Sequence, residues 1–333
     1  RQNQRYAQFK LGSTANYFMS DAELYGSIGI NKTQHYLYGY DSELMNYDKN
    51  FVQHQFTAFN LTAGYRNTTT NKWNINYDPK INLTLFSLKD TVAENTLVVE
   101  LPAQININDK MRFGVNFKAD ITRYKTKNFI SSTSVSNDIY ALSPSFSCQG
   151  TRFTAKVSGA FINNNGSSSF LPGVFFEMPI KERLLYINGG WENGFLKNTY
   201  SNLTAVNPYL LAIEDQKNTL KSEFFTGITS LIGKFITVNA KASFIRYDGF
   251  QFFMNDTLSE GRGHFFKLYT EDKLNHFRLH GDISYKVRDQ FSFIGGVTFN
   301  AFSGNKLNEK IWNMLPMEVN ASMIWKPRNK LTV

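Results

Sequence analysis

No stretch of this sequence approaches eighteen consecutive apolar residues, so no membrane-spanning helix is expected in it. Cysteine is nearly missing. Cys148 is the only one, which excludes an intrachain disulfide and any zinc site built from several cysteines. It shares the parity of Leu142 and Phe146 and reads as a small apolar side chain. Charge is scarce: Asp, Glu, Lys and Arg make up 19% of 333 residues, and the surface of a soluble globule wants more. Glycine-rich phosphate loops and a Gly-x-Ser-x-Gly nucleophile turn are absent, and Ser13, Ser168 and Ser303 have no such setting. The opening Arg1-Gln2-Asn3-Gln4 holds no apolar targeting segment, while Lys330-Leu331-Thr332-Val333 follow a turn signal. Residues 1–333 are therefore expected to be one domain, incomplete at one or both ends.

Aromatic residues, by contrast, are plentiful: 30 Phe and 17 Tyr bring their share with Trp to 15%. They recur with a period of two. In 277–287, every odd position is apolar, aromatic or glycine, and the even positions are Arg, His, Asp, Ser and Lys. A strand sends alternate side chains to opposite faces, so this arm has one apolar and one polar wall. After Arg288-Asp289-Gln290 a second such arm runs from Phe291 to Asn300. The pattern predicts an all-β chain of about 14–16 strands, arranged as a transmembrane antiparallel up-and-down β-barrel. Tight turns are predicted at Asn31-Lys32, 69–72, 108–110, 149–151, 179–182, 232–234, 288–290 and 327–330. Longer connections are predicted over 41–50, 87–94, 126–137, 163–169, 192–219, 247–273 and 304–315. Strict alternation would place all short turns at one end and all long loops at the other. Trp73 and Trp325 lie next to turns and Trp191 towards the other end of its strand, as expected of aromatic girdles at lipid head-group level.

The formal net charge is +9, but the basic residues are scattered over turns and alternating positions, among them Lys72, Lys80, Lys110, Lys181, Lys234 and Lys273. That scatter excludes a nucleic-acid surface, which needs them on one face beside stacking aromatics. It fits contact with anionic outer-membrane lipid, or a preference for anionic solutes. By parity, Arg112, Asn116, Lys118 and Asp120 share the polar wall of one strand, and Arg278, His280, Asp282 and Lys286 that of another; all eight are candidate lumen-facing residues. His276 and His280 share a face, yet i and i+4 stand about 13 Å apart on a strand, too far for one metal ion. Glu100, Glu177, Glu223 and Glu318 lie in or near strands with nothing to pair them as acid and base. No cofactor, metal or catalytic residue is assigned. Segments 192–219 and 247–273 are apolar enough to fold over the mouth or to contact a protein partner.

Residues 60–65 (Asn-Leu-Thr-Ala-Gly-Tyr), 277–281, 290–300 and 315–321 resemble strands of Bacteroidota outer-membrane β-barrel proteins of the TonB-dependent-receptor-like kind. The resemblance covers roughly the last two thirds of the chain and that one earlier strand. It implies location in the outer membrane and a shared barrel. The plug domain and energy-coupling segment of a full receptor are not recognisable here. Structural or accessory membership of an outer-membrane complex therefore ranks first, passage of small solutes through a channel or transporter second, and a membrane-embedded hydrolase third.

Overall fold

The computed structural model describes residues 5–36, 52–69, 71–127, 132–181, 184–213, 215–256, 265–288, 290–305, 311 and 314–326. Among them runs one antiparallel sheet of sixteen strands. They are β1 (Tyr6–Phe18), β2 (Ala22–Tyr36), β3 (Gln53–Asn67), β4 (Ile75–Tyr77), β5 (Lys80–Leu88), β6 (Val92–Asn106), β7 (Met111–Lys127) and β8 (Ser132–Gln149), then β9 (Thr154–Asn164), β10 (Ser167–Lys181), β11 (Leu185–Leu196), β12 (Thr219–Ile232), β13 (Ile236–Asn255), β14 (Phe266–Val287), β15 (Phe291–Ser303) and β16 (Met317–Trp325). A short helix, α1 (Tyr200–Val206), lies between β11 and β12. Strands pair in chain order, with the three residues of β4 set beside β6 next to β5. No helix among the described residues is long and apolar enough to cross a membrane.

The meander order and strand number follow from the alternation, but the closed barrel does not. β1 and β16 end the strand order and do not pair with each other, so the sheet is open. Both strands are exposed along their whole length. The physical reason is one of range. A period of two assigns side chains to faces, whereas closure needs backbone pairing between the first and last strands, about which local alternation says nothing.

The connections also depart from strict alternation. The first reversal lies at 19–21, not at Asn31-Lys32, which are strand residues paired with Lys10 and Phe9. The expected loops at 87–94 and 163–169 are tight turns. Asp90 supplies the positive φ of the first (60°), and Asn165-Gly166 (50° and 86°) forms the second. Two successive positive φ angles are what a two-residue hairpin turn needs. β7 reaches Lys127 and β8 starts at Ser132, so strand replaces most of the expected 126–137 loop. The loop expected at 41–50 and the turn at 327–330 lie outside the described residues.

One face of the sheet carries unbroken apolar rows. Register carries Ile105 of β6 to Phe113, Phe146, Val157, Val174, Trp191, Phe224, Phe244 and Phe277, one residue from each strand through β14. A second row runs Leu101, Phe117, Leu142, Phe161, Phe170. Directly opposed residues share a face, so these rows are physical stripes. Two glycines on this face are covered: Phe170 lies over Gly159 and Phe176 over Gly189, at distances where a Cβ would collide with the ring. Each ring fills the space that the missing side chain leaves.

The opposite face is polar, and the sheet curls around it. Phe56 (β3), Phe86 (β5), Val92 (β6) and Tyr124 (β7) share a buried cluster with Phe253 of β13, strands distant in the sheet order. The segment that fills the space between them is 197–213.

Candidate functional site

The concave polar face divides into a covered wall and a bare one. The cover is a strap, residues 197–218, joining β11 to β12. Thr199 caps α1 by accepting a bond from Asn202 N–H at 3.2 Å. Asn207 closes the helix, its N–H donating to Leu203 O at 2.9 Å. Tyr200, Leu203, Leu210 and Ile213 then pack on Phe56, Phe86, Val92 and Tyr124.

Polar anchors fix the strap from several strands. Glu94 of β6 is buried and accepts from Tyr200 N–H at 2.7 Å, Ser201 N–H at 2.9 Å and Gln216 Nε2 at 2.7 Å. A carboxylate at free helix N–H groups is favoured by the local dipoles, and charge strengthens each bond. The Tyr124 hydroxyl accepts from Ile213 N–H at 3.1 Å, and the Tyr209 hydroxyl donates to Tyr36 O at 3.1 Å. Lys197 binds the Asp120 carboxylate and its main-chain oxygen, the latter at 2.9 Å. Burial holds Lys197 below the ordinary lysine pKa, against the opposing pull of Asp120. Residues 209–211 also run alongside the start of β14, with Phe266 N–H donating to Tyr209 O and Leu211 N–H to Phe266 O. Segment 192–219 thus folds inward, with Tyr200, Leu203, Leu210 and Ile213 used within the chain and Val206 left exposed. Segment 247–273 is largely the paired arms of β13 and β14, and its Phe265 stacks on His54 at 5.6 Å.

The bare wall is β12–β14. Glu223, with 3% of its side chain exposed, sits among Lys221 (2.5 Å), Lys241 (3.0 Å) and Arg278 (3.0 Å). Ser243 donates to it at 2.8 Å. Lys241 also stands over the Phe225 ring, 4.0 Å from its centroid. The Tyr247 and His276 rings stack nearby at 6.2 Å.

Of the sequence candidates, Asn116, Lys118 and Asp120 alternate with the outer-row residues Phe113 and Phe117 and so share the polar face. Lys118 contacts Glu100 (3.9 Å) and Asp120 (3.5 Å), and Glu100 also takes Lys80 at 2.9 Å. Arg112 lies apart from these, lining a cavity of about 540 Å³ with Asn74, Asn76, Gln104 and Asn106 at the short-turn end. Arg278 joins Glu223. His280 reaches Asp282 (3.4 Å) and Thr298 (2.8 Å), and Asn239 donates to Asp282 at 2.9 Å. Lys286 lies on the same parity near the 288–290 turn, with no ion pair to any described residue among the salt bridges seen. Trp73 is exposed (78%) at the 71–74 turn, and Trp325 ends β16 opposite Phe291. Trp191 sits inside β11 in the outer row, stacked on Phe224 at 5.1 Å. Among the described residues no group of three or more His, Cys, Asp or Glu is placed to hold a metal ion. The residues missed from sequence are Glu94, Lys197, Tyr200, Lys221 and Lys241. Lys221 and Lys241 have polar-face parity, so the signal was present, but only the β12–β13–β14 register brings them to Glu223.

No family model and no curated sequence matches the chain. Solved structures do. The siderophore receptor PirA from Acinetobacter baumannii superposes with a TM-score of 0.70 at 10% identity, covering 98% of this chain and 57% of that one. PirA from Pseudomonas aeruginosa gives 0.68 at 10% identity, over 98% and 61%. The FrpB iron transporter from Neisseria meningitidis gives 0.67 at 8% identity, over 98% and 57%. The fold is shared with these proteins. The chain spans only about three fifths of their length. At the level of fold this agrees with the resemblance to TonB-dependent-receptor-like proteins. It does not extend to a Bacteroidota origin or to the presence or absence of a plug.

Proposed function

We propose that this chain forms the wall of an outer-membrane transport protein for a small solute, with its apolar face against lipid and its polar face along the solute's path. The observation that carries this reading is the unbroken apolar row from Ile105 to Phe277, with eight of its nine side chains among the large exposed hydrophobics. In water an apolar stripe of that extent is an aggregation liability, whereas hydrocarbon accommodates it. The likeness to siderophore receptors and an iron transporter supports passage of a solute over the structural or accessory role that sequence ranks first. Small iron-carrying chelates are the first cargo to try.

The accessory role stays as the second reading because the strap occupies the concave face at one end, as a scaffold with a filled interior would have it. Two measurements test the proposal. Full-length protein should resist carbonate washing and need detergent for extraction; release as a soluble monomer would overturn membrane location. Cells expressing it should accumulate a labelled ferric chelate above a strain lacking the gene. Membrane location without accumulation of any chelate, neutral or charged, would return the accessory role to first place.

A further inference from the structure

The Glu223 cluster holds three cationic side chains against one carboxylate. Of the other carboxylates on this face, Asp282 is held by Asn239 and His280 and Glu318 by Asn300 at 3.2 Å, while Glu192 of β11 stands directly opposite Glu223 and is exposed. Counting Glu192 with Glu223, the three cations exceed the neighbouring carboxylates by one charge.

The burial pattern says which groups remain available. Glu223 is 3% exposed, but Lys221, Lys241 and Arg278 keep 29%, 36% and 34% of their side chains open. A bracing ion pair looks different: Lys197 and Asp120 are 10% and 9% exposed, with both ends enclosed. In the Glu223 cluster the carboxylate lies at the bottom and orients three cations whose heads face the concave space. Each retains donors. An Arg guanidinium has five N–H groups and a Lys ammonium three, and the contacts to Glu223 and the Phe225 ring do not exhaust them. Charged donors on rigid strands, fixed before a ligand arrives, lower the cost of ordering them on binding.

We infer that this part of the β12–β14 wall is an oxyanion-binding site, where Lys221, Lys241 and Arg278, oriented by Glu223, take a carboxylate or phosphate group of the solute. The inference rests on the transport reading for its biological setting, but binding can be measured without transport. Glu223 competes with the ligand for the same cations while holding them in place. The site therefore takes anions reversibly, as a passage requires.

The test is calorimetric titration of full-length protein in non-ionic detergent at low salt, with citrate and tripolyphosphate as probes and maltotriose as the neutral control. Saturable binding of both anions and none of the sugar is expected. Arg278→Gln should weaken it at least tenfold, and Lys110→Gln, on a distant turn, should leave it unchanged. Glu223→Gln should tighten it several-fold by removing the competing carboxylate; a purely structural cluster has no route to that gain. Should Glu223→Gln fail to fold, Lys221→Gln carries the test: weaker binding with an unchanged melting temperature is expected. Lipid head groups carry the same oxyanions, so titration into phosphatidylglycerol bicelles is the discriminating arm. Binding to bicelles that soluble anions do not displace would overturn the solute site, as would the absence of saturable binding or equal losses in Arg278→Gln and Lys110→Gln. Loss of uptake with anion binding intact would count against the transport reading alone.

Discussion

The two walls of the concave face are built from the same strand alternation and end up doing different work. On the β3–β7 wall, Glu94 and Asp120 are buried beneath the strap and spend their charge on its backbone and on Lys197. On the β12–β14 wall, Glu223 is buried equally, yet its cations stay open. A covered carboxylate holds a fold together, while an uncovered cluster of its counter-ions can meet something else. The difference lies in whether a loop returns over the strand.

That contrast can be broken in graded steps. Tyr200→Ala should do most, since Tyr200 is fully buried in the cluster that joins the strap to five strands. Removing a buried aromatic side chain costs about 4 kcal/mol, to be read as a lower melting temperature and faster hydrogen exchange of amides 199–213. Glu94→Gln comes next. It weakens three bonds to a buried charge, two from the α1 N-terminus, and should cost about 2.5 kcal/mol with proteolysis confined to the strap. Glu223→Gln should be milder, about 1 kcal/mol, because its partners can turn back to water. A loss as large as that of Glu94→Gln would make the two walls alike and the β12–β14 cluster structural.

The smallest effect is a pH slope at Lys197. Because burial depresses its pKa in the folded chain, folding favours loss of the proton. The strap is therefore destabilised while Lys197 is charged and gains stability as pH rises from the folded value towards about 10.4, the unfolded one. Lys197→Met should abolish that gain, measured as strap hydrogen exchange, corrected for intrinsic rates, between neutral and alkaline pH.

How much of this was legible in the sequence depends on range. The arms 277–287 and 291–300 appear in the structure as a paired hairpin, as read, because alternation is local. The eight polar-face candidates have the parity that placed them there. Asn165-Gly166 is equally legible as a two-residue hairpin signal, but the polar run 163–169 around it also reads as a longer loop. Asn31-Lys32 misled in the opposite direction: Asn31 sits within β2 and accepts a bond from Gln8 Nε2 at 3.3 Å. The open edges, the Glu94 anchor 106 residues from Tyr200, and the meeting of Lys221, Lys241 and Arg278 depend on pairings that no local pattern encodes.

The outer row has a consequence for how this chain tolerates insertion. Each of its steps is a strand pairing, and each strand enters with a fixed parity. One residue added inside β12 would turn the remainder of that strand over, sending Phe224 or its neighbours toward water and Glu223 toward oil. A residue added at a reversal such as 233–235 is absorbed before the next strand begins. Length changes should therefore accumulate between strands, and a tag placed at a turn should be carried silently where the same tag in a strand is not.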